Sequence, residues 1–277
     1  MATITASEVN KLRKQTGSGM MDCKKALVEA NGDFDAAVDI LRKKGQKVAA
    51  KRGDRDAAEG LTIAKANADG SKGVVVMVNC ETDFVAKNDD FNTFVETITN
   101  AALENKPTSI EELNKLSYAG NGMTIGEKIT EQIGKIGEKI EISVFNTIEA
   151  GKVVAYNHPG NQIASLVGLS IAGDFSEAGR DIAMQVAAMA PIALDQESVD
   201  KAIIDKEIEI GKDQAIAEGK PADLAEKISK GRLNKFFKEN TLVNQAFIKD
   251  NKKSVSQYLK DIDSDLAVTD FKRAALV

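Results

Sequence analysis

A pattern of strand, Asp-Phe and amphipathic helix occurs twice in this chain, and it limits the fold more than any other feature. The apolar run 74–80 leads into Asp83-Phe84, and the run 166–171 leads into Asp174-Phe175. Counted from each Asp, Val95 and Val186 fall at +12, and Ile98 and Met189 at +15. A repeated supersecondary unit buries its apolar face within its own layers, so the pattern predicts two related α+β units. The length of 277 residues fits that reading at ~150 residues per domain.

The remaining elements hang on this frame. Strands are expected over 61–66 and 73–80, joined by the turn Ala68-Asp69-Gly70-Ser71. The unbroken run Val74 to Val78 suits a strand buried on both faces. Phe91, Phe94, Val95 and Ile98 follow at helical spacing. Helices are expected near 110–116 and over 125–140, where Ile125, Ile129, Ile133, Ile136 and Ile140 form a stripe. Strands return at 140–148, 152–156 and 163–171, then a helix at 176–191. Residues 195–230 carry 10 acids and 6 bases around Gly219-Lys220-Pro221 and read as a helical hairpin. One arm carries Val199, Ile203 and Ile210, the other Leu224 and Ile228. Such a hairpin either projects from the body or mediates pairing. A helix near 254–260 and a strand at 266–277 close the chain.

The first ~45 residues read as three short helices, a core too small to be more than marginal alone. Thr5 and Glu8 have capping-box spacing, Gly17 and Gly19 break the first helix, and Asn31-Gly32 ends the second. Asp33 caps the third, which carries Ala37, Ile40 and Leu41. Residues 42–55 hold seven basic side chains and one acid, which suits a solvated linker or a contact with an acidic partner. The expected organisation is a three-helix domain at 1–45 and a basic linker at 46–59. One core subdomain covers 60–140, a second covers 141–194 with 231–277, and the hairpin at 195–230 is inserted in the second.

Composition removes several function classes. A net charge of -5 gives no support to a nucleic-acid binder, which shows a strongly basic face. Two cysteines, Cys23 and Cys80, and one histidine exclude a disulfide framework and a Cys/His zinc site. No apolar stretch approaches the ~18 residues of a membrane span, and residues 1–17 lack a secretory h-region. A reducing, cytoplasmic location is expected. Gly151-Lys152 and Gly219-Lys220 are followed by Val153 and Pro221, so no phosphate-cradling loop is present. His158, before Pro159-Gly160, reads as a surface or turn-bonding residue or as a partner contact. With no nucleophile beside a base, an enzyme is poorly supported, and no cofactor or metal is expected.

The run from Glu81 to Phe91 stands between a buried strand and an amphipathic helix. Phe91 begins the helix's core face. Phe84 falls outside that stripe, between Asp83 and Lys87. Spacing alone leaves it two readings: a loop aromatic folded onto its own core, or an exposed apolar plug of the kind that forms interface hot spots.

At this run the chain resembles the elongation factor Ts family. Thr82-Asp83-Phe84-Val85-Ala86-Lys87-Asn88 matches that family's nucleotide-exchange motif. Arg13 with Thr16 to Leu27 resembles its N-terminal segment, and Gly219-Lys220-Pro221 with Ala225-Glu226-Lys227 and Gly231-Arg232 gives a third match. The resemblance implies a ubiquitin-associated-like three-helix domain, two α+β core subdomains and an inserted coiled-coil hairpin. It implies a guanine-nucleotide exchange factor that releases GDP from elongation factor Tu during translation elongation. That role needs no nucleotide, nucleic acid or membrane bound by the chain itself. The alternative is an adaptor that binds without exchange activity.

By the same resemblance, residues 82–88 are the exchange site, with Asp83 and Phe84 inserting into the partner. Met20 and Met21 are expected at a second contact, although the stripe of their helix allows one to be core. Arg13, Asp22 and Lys24 belong to the same expected surface. His158 aligns with a partner-facing histidine of some members. Longer members continue into a further helix that touches the partner; this chain stops at Lys272 to Val277, so that contact is expected to be absent.

Overall fold

The computed structural model of the chain describes residues 4–120 and 122–276. By internal contacts the chain divides into two units. One comprises the chain up to Ile63 together with Val76–Phe145, the other Ala64–Val75 with Asn146–Ala275.

The first unit begins with three helices, Ala6–Thr16 (α1), Met20–Glu29 (α2) and Phe34–Arg52 (α3). Thr5 and Glu8 form the expected capping box, Gly17 ends α1 in the left-handed conformation, and Asp33 caps α3. Val9, Leu12, Cys23, Ala26, Leu27 and Ala37 make a small buried cluster between them. Residues 46–52, expected in a linker, instead complete α3. Gln46, Lys47, Ala49, Ala50 and Lys51 are strong helix formers, and Lys51 and Arg52 in the last turn complement the helix dipole.

Strands Glu59–Ala66 (β1), Lys72–Cys80 (β2) and Glu141–Glu149 (β3) form a sheet in the order β1-β2-β3. Every position of β2 is buried, as its apolar run requires. Between β2 and β3 come Asp83–Ala86 (α4), Asp89–Asn105 (α5), Ile110–Lys115 (α6) and Ile125–Ile136 (α7). Helix α5 buries Phe91, Phe94, Val95 and Ile98. Helix α7 buries Ile125, Ile129 and Ile133 and packs on α3. It stops four residues earlier than the isoleucine stripe suggested. Gly137 adopts a left-handed C-cap, and Ile140, still buried, leads into β3.

The second unit holds Lys152–Asn157 (β4), Ile163–Leu169 (β5) and Val268–Ala275 (β8) in an antiparallel sheet with β5 central. Residue 277, the end expected for the last strand, lies outside the described residues. Helix Ser176–Met189 (α8) packs on β4 and β5. The hairpin is Lys201–Ala217 (α9) and Ala222–Asn240 (α10). Its second arm runs ten residues past the expected end, to Asn240: Gly231 stays inside the helix, and Thr241 is the extended C-cap. Its start is also later, since Asp195 closes a turn by accepting from the Ser198 amide and α9 begins only after Asp200.

The hairpin seam differs from the sequence reading. Gly211 and Ala215 of α9 and Ala225 and Ser229 of α10 are buried, whereas Ile203, Ile210 and Leu224 stay exposed. Small residues let two backbones approach closely. A Cβ added at Gly211 would sit 3.3 Å from Ser229 Cα. Arg232 locks the seam, donating to Gln214 and pairing with Glu218, both at 2.8 Å.

After α10 come a two-stranded ribbon, Ala246–Phe247 (β6) with Asp250–Ser254 (β7), and helix Val255–Ile262 (α11). The ribbon was not anticipated. It is held by Gln185, fully buried in α8, whose amide accepts from the Ile248 N–H and donates to the Ala246 carbonyl. One turn earlier in α8, buried Asp181 accepts from Lys249 Nζ and the Tyr258 hydroxyl.

Candidate functional site

The strongest candidate grows from the end of β2. Cys80, fully buried, donates its thiol to the Thr82 carbonyl at 3.2 Å. Burial, with Glu138 nearby, pushes the Cys80 thiol up to about 12. Thr82 is extended and starts α4, a single turn of four residues. Such a turn is too short to persist by its own hydrogen bonds, so its fixed points lie outside it.

Those fixed points are two carboxylates. Glu138 Oε2 accepts from the amides of Glu81 and Thr82, each at 3.1 Å, and its Oε1 accepts from the Thr82 hydroxyl at 2.7 Å. Glu81 accepts from the Lys139 amide at 2.6 Å and from Arg52 Nη1 at 2.9 and 3.0 Å. Residues 81–82 and 138–139 therefore clasp each other reciprocally. The Lys139 amide, then the Arg52 guanidinium, hold the Glu81 carboxyl below the usual carboxylate range. At the far end Ala86 is buried, and the Asn88 side chain accepts from the Asp90 amide to start α5.

Between these anchors Phe84 stands out with 84% of its surface exposed. Lys87 Nζ donates to Asp83 Oδ2 at 2.7 Å, one turn away. That bond keeps the Asp83 carboxyl below its usual range and raises the Lys87 ammonium. The site thus offers an apolar ring beside a dipolar pair on one short, anchored turn.

The repeat makes the exposure of Phe84 informative. Its counterpart, Phe175, is half-buried and packs against the core of the second unit. Gly173 allows this: with φ of 151°, its missing Cβ would lie 2.8 Å from the Phe175 ring. Thr82 stands at the corresponding position of the first unit, with a Cβ and with its hydroxyl committed to Glu138. Val95 and Val186 are both buried as the repeat requires, but Met189 is 49% exposed where Ile98 is buried, because α8 ends there.

The other expected site residues fall in separate places. Arg13 is exposed near the end of α1. Met20 and Met21 head α2 and are 53% and 61% exposed, so neither is core. Asp22 pairs with Lys44 of α3, and Lys24 is exposed. His158 belongs to the second unit, in the turn after β4, and its Nδ1 lies 3.0 Å from the Tyr156 hydroxyl. Among the described residues no group of His, Cys, Asp and Glu could hold a metal ion, and no helix is long and apolar enough to cross a membrane.

Glu138 escaped the sequence reading, as did the clasp that joins it to Glu81, named only as the start of the run, and to Arg52, counted only among the basic residues of 42–55. Glu138 lies 56 residues from Thr82, in the turn between α7 and β3, and no spacing rule links two loops so far apart.

A family model described as "Elongation factor TS" matches residues 81–276. Elongation factor Ts of Christiangramia forsetii is 57% identical over 277 residues, covering 100% of both chains. That of Flavobacterium psychrophilum is 56% identical over 279 residues, again covering 100% of both. That of Porphyromonas gingivalis is 46% identical over 273 residues, covering 99% of this chain and 98% of the other.

Proposed function

The chain belongs to the elongation factor Ts family, and from that premise we propose that it is a guanine-nucleotide exchange factor for elongation factor Tu, with residues 82–88 as its exchange site. The observation that carries the site is Phe84, exposed on a turn anchored at both ends. The chain acts by binding rather than by covalent chemistry, during translation elongation in the cytoplasm.

The mechanism is one of linkage. GDP and Mg²⁺ favour one conformation of the GTPase, and the exchange factor favours the nucleotide-free one. Each ligand then weakens the other by the same factor. Phe84 enters the partner's GTPase domain with Asp83 beside it and displaces the elements that support the phosphates and Mg²⁺. Octahedral Mg²⁺ tolerates little distortion, so a small shift suffices. Burying the Phe84 ring supplies about 1.5–3 kcal/mol, roughly one to two decades of the coupling. Met20 and Met21, both exposed, form a second and adaptable contact, with Arg13, Asp22 and Lys24 around them. His158 provides a further contact from the second unit.

The test is release of a fluorescent GDP analogue from elongation factor Tu, chased with unlabelled nucleotide. Catalytic amounts of the chain speed release, and Asp83→Ala and Phe84→Ala each reduce the effect. Unchanged release with intact binding would instead identify an adaptor. Faster release indifferent to both substitutions would keep the function and discard the site.

A further inference from the structure

We propose that Glu138 is a positioning residue for exchange: it acts through Phe84 by holding the one-turn helix α4 in the orientation that presents the ring. This inference rests on the exchange reading above. Three observations carry it. The carboxylate spends all its described hydrogen bonds on the two residues that precede α4, two through amides and one through the Thr82 hydroxyl. Thr82 makes no side-chain cap of its own to α4, so its hydroxyl serves the clasp and not the helix. Phe84 is exposed, so packing of the ring itself does not set its direction.

The clasp is also reciprocal. Glu81 returns a bond to the Lys139 amide and takes the Arg52 guanidinium at the end of α3. Arg52 thus ties α3 to the residues that launch α4. Hydrogen bonds to a charged group are about twice as strong as neutral ones, and donors fixed in a main chain lose little freedom in forming them. A displacement of about 1 Å at a group that must dock into a partner can cost up to ~100-fold in rate.

The experiment uses the full chain with Glu138→Ala, Glu138→Gln, Phe84→Ala and the Glu138→Ala/Phe84→Ala double variant. Glutamine keeps an acceptor for the two amides and can donate to the Thr82 hydroxyl, so it restores the clasp without the charge. Glu138→Ala is expected to slow nucleotide release from elongation factor Tu about tenfold, Glu138→Gln to stay within about twofold of the parent, and the double variant to be no slower than Phe84→Ala alone. Amide hydrogen exchange of the isolated chain should show residues 83–88 less protected in Glu138→Ala and in the double variant, but not in Glu138→Gln or Phe84→Ala. A parental rate for Glu138→Ala, a Glu138→Gln variant as slow as Glu138→Ala, or a full further loss on the Phe84→Ala background would each overturn the proposal. If Glu138→Ala fails to fold, Thr82→Val removes the 2.7 Å bond to Glu138 Oε1 and should slow release in the same Phe84-dependent way. A parent chain that does not speed release would sink the exchange reading instead, while the protection of 83–88 still decides whether Glu138 orders α4.

Discussion

Gly45 of α3 and Gly134 of α7 meet backbone to backbone: a Cβ added at Gly134 would lie 2.7 Å from Gly45 Cα. The crossing joins the N-terminal helices to the helix whose trailing loop carries Glu138, within one unit. Gly134→Ala therefore forces the helices apart. Overpacking costs about 1–3 kcal/mol, against which better helix propensity returns at most about 1. The thermal midpoint of Gly134→Ala should fall by a few degrees, roughly 2–4 °C per kcal/mol for a chain of this size. Gly231, a helical glycine of α10 with nothing within 4 Å of its Cβ position, is the control. Gly231→Ala should hold or raise the midpoint, and equal behaviour of the two variants would remove the crossing from the account.

Phe84 and Phe175 occupy the same place in the repeat and should separate function from stability. Phe84→Ala removes an exposed ring, so its unfolding free energy should stay within about 0.5 kcal/mol of the parent. Its effect should appear in nucleotide release, at roughly ten- to a hundredfold. Phe175→Ala empties part of a packed core and should destabilise by about 2–4 kcal/mol with release preserved below the unfolding range. Chemical denaturation beside the release assay checks both. A destabilised Phe84→Ala would mean that the ring packs on its own unit.

The buried β2, the three N-terminal helices and the hairpin were legible because each is a local pattern. A capping box, a left-handed glycine or a 3.6-residue stripe is written in consecutive residues. The misreadings have physical causes of two kinds. Element ends moved where charge and propensity carried α3 on through residues 46–52, and where Leu233, Phe236 and Phe237, at helical spacing beyond Gly231, continued α10. The hairpin seam was misjudged because large apolar residues suggest a core, whereas close helix contact selects Gly211, Ala215, Ala225 and Ser229. At the site, the motif pointed to Phe84, but spacing left its exposure open; the close approach of Phe175 to Gly173, where the first unit has Thr82, is seen only in three dimensions. The clasp through Glu138 joins residues 56 apart and leaves no periodic trace.

Acid should weaken the clasp in a defined window. The folded state holds Glu81 below its ordinary value of 4.5, chiefly through the Lys139 amide. A depressed carboxylate contributes stability that is present above the unfolded value and lost as pH falls through the folded one. Thermal midpoints should therefore be insensitive to this group above about pH 5 and fall below it. In Glu81→Gln, which cannot titrate, the acid limb should be shallower. Parallel limbs for the two proteins between pH 5 and pH 3 would show that Glu81 does not contribute.

The hairpin gives the last prediction. A Cβ at Gly211 would meet Ser229 Cα and Cβ at 3.3 Å, a separation that a shift of a few tenths of an ångström relieves. Gly211→Ala should therefore be nearly neutral, its gain in helix propensity offsetting the strain. Gly211→Leu cannot be relieved so cheaply. It should part α9 from α10, free Arg232 from Gln214 and Glu218, and cost about 1–3 kcal/mol. The second unit's core lies on α8, β5 and α11, so the loss should be local. Limited proteolysis should cut Gly211→Leu near Gly219-Lys220 faster than the parent, while protection of α8 is unchanged. Equal cleavage of both would show that the small-residue seam does not hold the arms together.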